Sequence, residues 1–256
     1  MMLRINHRLS KDIDLFVPDP RYLGYVTPRL GGPAEDITSE YDEGAVFVKL
    51  YLPQGEIDIV VGTPLTANPS DEFEHDGRTI QVETNAEIVA KKMWHRGYDA
   101  KARDLFDLCA VAQLEPDAIQ VAAPFMIRHG AVFLKQLQAD ADALRKVFGM
   151  IETIDFNDSF DQCVERAHDV VGSALRMQQE AEAAGVATEG SFVGTITEIQ
   201  GNVAVQRINR NGDTARHSLF ALSKPPYVGE LAEISYHDKR GHVVVKEKGR
   251  DAGLGR

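Results

Sequence analysis

The chain has 256 residues, 43% hydrophobic and 26% charged, which is ordinary globular usage for one or two domains and excludes a disordered or fibrous protein. The net charge of −11 is uneven: 18 Lys and Arg face 32 Asp and Glu before Gly190, and 10 face 7 from there on, so an acidic body without the bulk charge to hold nucleic acid carries a mildly basic tail segment. No stretch approaches the ~20 apolar residues of a membrane span, the N-terminus lacks the apolar core of a signal peptide, and Cys109 and Cys163 make neither a disulfide framework nor a metal knuckle. These features set the expectation of a cytoplasmic protein with no membrane partner.

Residues 1 to about 83 read as strands and loops. Asp12-Ile13-Asp14-Leu15-Phe16-Val17 alternates polar and apolar residues, as a half-buried strand does. Two β-rich runs, 45–52 and 56–61, are separated by Pro53-Gln54-Gly55, which predicts a hairpin with a three-residue loop. Residues 63–79, with Pro64, Asn68-Pro69 and Asp76-Gly77, read as loop and turn. Residues 84–185 read as helical. Thr84-Asn85-Ala86-Glu87 is a capping-box pattern opening a helix that stops at Gly97; a second helix runs from Lys101 to about Gln113. His129-Gly130 reads as a helix end, and longer helical patterns cover 140–149 and 159–184. In the last, Phe160, Val164, Ala167, Val171, Ala174 and Leu175 keep the spacing of one apolar face. Beyond a short linker the period changes. Residues 192–197, 202–208, 217–219, 231–236 and 242–245 are short strand candidates punctuated by Gly201, Asn211-Gly212 and Gly229, which predicts a small antiparallel barrel.

The sharpest chemical feature is Asp12-Ile13-Asp14 together with Asp58 inside the apolar run Ile57-Asp58-Ile59-Val60. Positions i and i+2 of a strand share a face, so Asp12 and Asp14 present like charges side by side, which is costly without a cation between them. A lone carboxylate at Asp58 is expensive in such an apolar strand. Three acidic groups converging from adjacent strands relieve both costs by holding Mg²⁺, a hard ion that prefers oxygen ligands and that, in pairs, clamps phosphoryl displacement. The bland alternative is a solvated acidic strand face. A second group comprises Lys92 on the capped helix and Lys101, Arg103, Asp104 and Asp107 on the next. Taken alone it reads as two helices with routine surface ion pairs. The functional alternative has Lys92 reaching phosphates as a flexible point charge, with Asp104 orienting it or a substrate hydroxyl.

Three segments, in order, carry a resemblance. Residues 7–16, His-Arg-Leu-Ser-Lys-Asp-Ile-Asp-Leu-Phe, resemble the DxD core of the AbiEii/AbiGii toxin-type nucleotidyltransferases of the DNA polymerase β-like superfamily. Glu87-Ile88-Val89-Ala90-Lys91-Lys92-Met93 is similar to that family's lysine helix, and 101–108, Lys-Ala-Arg-Asp-Leu-Phe-Asp-Leu, to its Arg-Asp segment. The likeness covers about residues 5–112. It implies an α+β protein with a polymerase β-like core of mixed sheet and helices over 1–114 and a helical extension over 115–187; the strand pattern itself sets the small β-barrel over 190–248, and the terminal position a disordered tail over 249–256. The likeness implies Mg²⁺-dependent transfer of a nucleotide from an NTP to an RNA, tRNA-like, or protein acceptor, by the toxin of a toxin–antitoxin or phage-defence pair with a cognate antitoxin. Asp12, Asp14 and Asp58 are then the metal ligands, Asp58 serving as ligand or as general base. Lys92 contacts the triphosphate, Asp104 is the partner acid, and Arg8 and Ser10 position the nucleotide-binding loop.

One feature departs from the family. Its Gly-Ser or Gly-Gly-Thr helix precedes the DxD strand, and only eleven residues precede Asp12 here. The expectation is a late start or a degenerate member that binds DNA or a partner protein through the barrel. Residues 190–248 resemble the small KfrB-type barrel of plasmid and conjugation proteins, through Gly194–Ile199, Val205-Gln206-Arg207, His217-Ser218, Gly229-Glu230 and Ile234-Ser235-Tyr236. That likeness implies a mobile-element context and an interaction role. Trp94 and His95 read as helix packing, and Cys109 as core.

Overall fold

The computed structural model describes residues 1–183, 185–200, 203–224 and 226–246; the expected disordered tail, Gly201, Asn202 and Lys248 lie outside them. The chain divides into two units, the first comprising Met2–Pro64 with Ile151–Asn157, the second Leu65–Met150 with the chain from Asp158 onward.

In the first unit a short helix, α1 (Met2–Ile5), precedes β1 (Ile13–Val17), α2 (Pro33–Ile37), β2 (Tyr41–Glu43), β3 (Phe47–Leu52) and β4 (Gly55–Val61). The sheet order is β1-β4-β3-β2, with β1 parallel to β4 and the other pairs antiparallel. Period-2 alternation sorts the faces. Val48, Leu50 and Ile59 point into a core closed by Leu23 and Ala34, while Lys49, Glu56 and Asp58 alternate to the other side. The hairpin loop is a correction: Leu52 pairs with Gly55, so only Pro53 and Gln54 turn, and Gly55 opens β4. A Cβ at Gly55 would sit 2.1 Å from the Lys11 carbonyl oxygen; glycine is there to let the segment entering β1 pass against the strand. The returning segment 151–157 pairs with the N-terminal stretch through an Arg8–Thr153 bridge and hydrogen bonds from Leu9 N to Glu152 O and Ile154 N to His7 O.

The second unit begins with a hairpin, β5 (Ser70–His75) and β6 (Arg78–Glu83), where loop was expected. Ser-Asp-Glu-Phe-Glu-His lacks apolar alternation, so only Asp76-Gly77, with φ of 49° and 72°, betrays the tight turn. Helices follow: α3 (Asn85–Arg96), α4 (Ala102–Leu114), α5 (Pro116–Ala122), α6 (Gly130–Ala139), α7 (Ala141–Phe148) and α8 (Phe160–Ala183). His129 occupies the N-cap position of α6, without a side-chain cap hydrogen bond, so the helix end read at His129-Gly130 is a start. They pack around Leu105, Phe106, Leu108, Phe133 and Leu137. The buried stripe of α8 includes Phe160, Cys163, Ala167, Val171 and Ala174, with Cys163 where Val164 was expected. Cys109 and Cys163 are both fully buried core residues.

The chain ends in β7 (Ser191–Gln200), β8 (Val203–Arg207), β9 (Thr214–Ser218), β10 (Leu231–His237) and β11 (Arg240–Val245), antiparallel in the order β11-β10-β7-β8-β9. Leu222 bridges to Gly241, which brings the segment after β9 back to β11 around a core of Ile196, Ala204, Ala232, Ile234 and Val243. Through this core runs a polar chain. Gln206 Nε2 donates to the Gly194 and Ala232 carbonyls, at 3.2 and 2.9 Å, which leaves Gln206 Oε1 to accept from His217 Nε2 at 3.0 Å. His217 Nδ1 then accepts from the Tyr236 hydroxyl at 2.9 Å, so the network assigns His217 the neutral Nε2–H tautomer.

Burial holds the His217 pKa down at about 4, against an ordinary 6.5. The unfolded chain therefore binds the extra proton between those values, and stability is complete above pH 6.5 and falls as pH drops toward 4. Urea midpoints of the barrel's transition measured from pH 7 to pH 4 are expected to show a loss of up to about 3 kcal/mol, most of it absent in His217→Gln. An equal slope in both proteins overturns this assignment.

Candidate active site

The parallel register places Asp14 directly beside Asp58, and Ile13 and Leu15 beside Ile57 and Ile59. Neighbouring strands lie ~4.8 Å apart, so the Asp14 and Asp58 carboxylates project from adjacent positions on one face. Asp12 stands just before β1, where its Oδ1 accepts from Glu56 N at 3.4 Å. Ser10 Oγ donates to the Asp12 carbonyl at 3.3 Å and shapes the entry to the strand, while Arg8 Nη1 reaches the Leu9 carbonyl at 3.3 Å.

A residue the sequence reading passed over completes this face. Lys49, the antiparallel partner of Asp58, puts Nζ 3.2 Å from Asp58 Oδ2 and 2.8 Å from Glu56 Oε2. Glu56 and then Asp58 hold its ammonium well above the ordinary range. A three-residue loop would have paired Lys49 with Ile59; the two-residue loop shifts the register by one and puts charge opposite charge. Among the described residues no three His, Cys, Asp or Glu side chains gather closely enough to hold a metal ion by themselves. Mg²⁺ keeps several waters and takes one or two carboxylates plus substrate phosphates, and Asp14 and Asp58 stand as two carboxylates on one face.

In the second unit Lys92 joins α3 to α4. Its Nζ bridges Asp104 Oδ1, at 3.1 Å, and Asp107 Oδ2. Arg96 adds a second cation to Asp104, Nη2 to Oδ1 at 2.6 Å. Asp104 and Asp107 are 5% and 1% exposed, which corrects the expectation of solvated surface pairs: these carboxylates are buried and satisfied by cations. The ammonium hydrogen-bonds Asp107 and forms an ion pair with Asp104.

Four residues before Lys91, on the same helix, Glu87 is wholly buried. Thr84 Oγ1 accepts from Glu87 N at 3.2 Å, one half of the expected capping box. The other half is absent, because the Thr84 amide donates to Pro69 O. The Glu87 carboxylate instead accepts from Leu65 N at 2.9 Å and from Thr66 N and Oγ1 at 2.7 Å each, with Lys91 Nζ 3.6 Å away. Glu87 thus anchors the stretch that follows Pro64.

A family model described as nucleotidyl transferase AbiEii toxin, type IV toxin–antitoxin system, matches residues 1–184. The chain belongs to this family. A KfrB domain matches residues 191–245, the five-stranded antiparallel sheet. Among solved structures the chain is similar to JHP933 from Helicobacter pylori, with 13% identity over 71% of this chain and 82% of that one and a TM-score of 0.43. A second H. pylori structure, provisionally named a nucleotidyltransferase, shows 15% identity over 71% and 83% at a TM-score of 0.38. No curated protein matches the chain. The chain thus falls within the AbiEii nucleotidyltransferase toxin family and has an α+β fold. Among the described residues no helix is long and apolar enough to cross a membrane.

Proposed function

We propose that this AbiEii-family chain transfers a nucleotide from an NTP to an RNA, tRNA-like, or protein acceptor in the cytoplasm. In this reading it is the toxin of a pair carried on a mobile element and is restrained by a cognate antitoxin. The observation that carries the reading is the pairing of Asp14 with Asp58 across parallel strands, on a face where like charges are costly without a cation. Asp12, Asp14 and Asp58 are the residues to hold Mg²⁺, which when bound neutralises phosphate charge and polarises the phosphoryl centre. Asp58 either completes that set or takes the proton of the acceptor hydroxyl. Lys92, a flexible point charge held by Asp104 and Asp107, is the residue for the triphosphate contact. Ser10 and Arg8 set the loop before β1.

A second reading has one observation in its favour. Lys49 already neutralises Asp58 and Glu56, as a degenerate module without a metal would need; such a chain binds DNA or a partner through the barrel. One experiment separates the two. The full chain is incubated with labelled NTPs and Mg²⁺, in separate arms with total RNA and with total cell protein, and label transfer is compared with that of Asp14→Asn. Loss of about 10³-fold or more in the variant is expected for a metal-binding carboxylate. Equal transfer by both proteins removes Asp14 from the mechanism. No transfer by wild type, with salt-sensitive nucleic-acid binding retained, establishes the second reading.

A further inference from the structure

The turn between β10 and β11 is built against its own ease. Its central residues Asp238 and Lys239 both have positive φ, 47° and 66°, in a two-residue connection flanked by the His237–Arg240 pair. Such turns favour Asn-Gly, because residues with a Cβ are strained there. The hairpin of β5 and β6 uses the easier Asp76-Gly77 in the same two positions. What the strained turn gains is contact with the helices. Asp238 Oδ2 lies 3.0 Å from Arg128 Nη2 in an ion pair, and Lys239 Nζ donates to Glu182 Oε1 of α8 at 2.8 Å.

Arg240 is the second outlier at the same place. It is 8% exposed, and its guanidinium carbon lies 3.6 Å from the ring centre of Phe125 and 5.9 Å from that of Trp94. Arg128 covers the same indole at 4.8 Å, and Trp94 meets Phe125 edge-on. Among the described residues Arg240 has no carboxylate partner, and its buried Nη1 has no hydrogen-bond partner. An unpaired buried guanidinium is costly, and aromatic faces offset part of that cost. Strain and an unpaired charge that persist at one spot point to a selected role there.

We propose that residues 238–240 form a latch that docks the KfrB barrel, in cis, on the Trp94–Phe125 face of the transferase helices. The latch restrains α3, the helix that carries Lys92. Its two ion pairs are partly exposed and weaken with salt, while the arginine stack persists. This inference is independent of nucleotide transfer.

Trp94 is the sole tryptophan of the chain, so its quenching by acrylamide reads the latch directly in the full-length protein. Three variants serve. Arg240→Ala removes the stack. Asp238→Asn with Lys239→Gly removes both ion pairs yet eases the turn, so a loosened interface cannot be blamed on a misfolded barrel. Arg240→Lys keeps the charge and loses the planar stack. In the first two variants, quenching of Trp94 is expected to rise about threefold and exchange of the α3 amides about tenfold, with β7 and β10 exchange unchanged. Arg240→Lys is expected to fall between them and wild type. Wild-type quenching in Arg240→Ala and in the turn variant overturns the latch. Raised quenching with unchanged α3 exchange overturns the restraint on α3.

Discussion

Exchanging Lys92 for methionine is expected to lower the unfolding free energy by about 3–5 kcal/mol, the range for removing one partner of a buried ion pair. The cost arises because the ammonium touches two carboxylates, Asp104 and Asp107, that water barely reaches. In the variant both carboxylates lose the ammonium they share. Replacing both members, as Lys92→Met with Asp107→Leu, is expected to recover most of the loss, since a buried pair exchanged for apolar groups is often neutral. Urea unfolding with an unchanged m-value is the measurement. A loss below about 1 kcal/mol for Lys92→Met shows that the cluster is more hydrated than its burial indicates. The result also governs how activity is interpreted. A Lys92 variant that transfers no nucleotide reports on phosphate contact only when its fold is intact, so Lys92→Arg, which keeps the charge, is the informative partner.

Glu87→Gln is expected to destabilise by about 3 kcal/mol although it changes one atom. The carboxylate accepts from the Leu65 amide with one oxygen and from the Thr66 amide and hydroxyl with the other. A glutamine has one acceptor oxygen, and its NH₂ would face an N–H, leaving at least one buried donor unsatisfied. Lys91 would also lose the negative charge 3.6 Å from its Nζ. Thr66→Ala removes one of the three donors and is expected to cost about 1 kcal/mol. Equal midpoints for wild type and Glu87→Gln would show that the carboxylate does not anchor Leu65 and Thr66.

The two clusters differ in how far the sequence exposes them. DxD announces itself because like charges at i and i+2 of a strand share a face whatever the fold. Asp58 stands out because it interrupts an apolar run. Lys49 and Glu56 were invisible for a definite reason: reading Pro53-Gln54-Gly55 as a three-residue loop shifts the pairing by one, and a one-residue slip turns every side chain to the other face. The key to the true register is Gly55, which belongs to the strand because the Lys11 backbone passes within contact of it. Nothing local to the hairpin records that neighbour. Glu87 misled in a similar way. Its spacing from Thr84 spells a capping box, and the threonine does cap, yet the carboxylate turned to a loop twenty residues upstream.

Helices α3, α4, α7 and α8, the capped start of α3, strands β7, β8, β10 and β11 and the order of the transferase motifs were legible in the chain itself. Those features rest on periodicity and on spacings shorter than a few turns, and they hold in any context. The tertiary structure alone decided which charges meet. It put Asp14 beside Asp58 through a parallel pairing between strands forty residues apart, buried Asp104 and Asp107 around Lys92, and set Arg240 against Phe125. Such pairings depend on register and on desolvation, which a residue acquires only from neighbours distant in sequence.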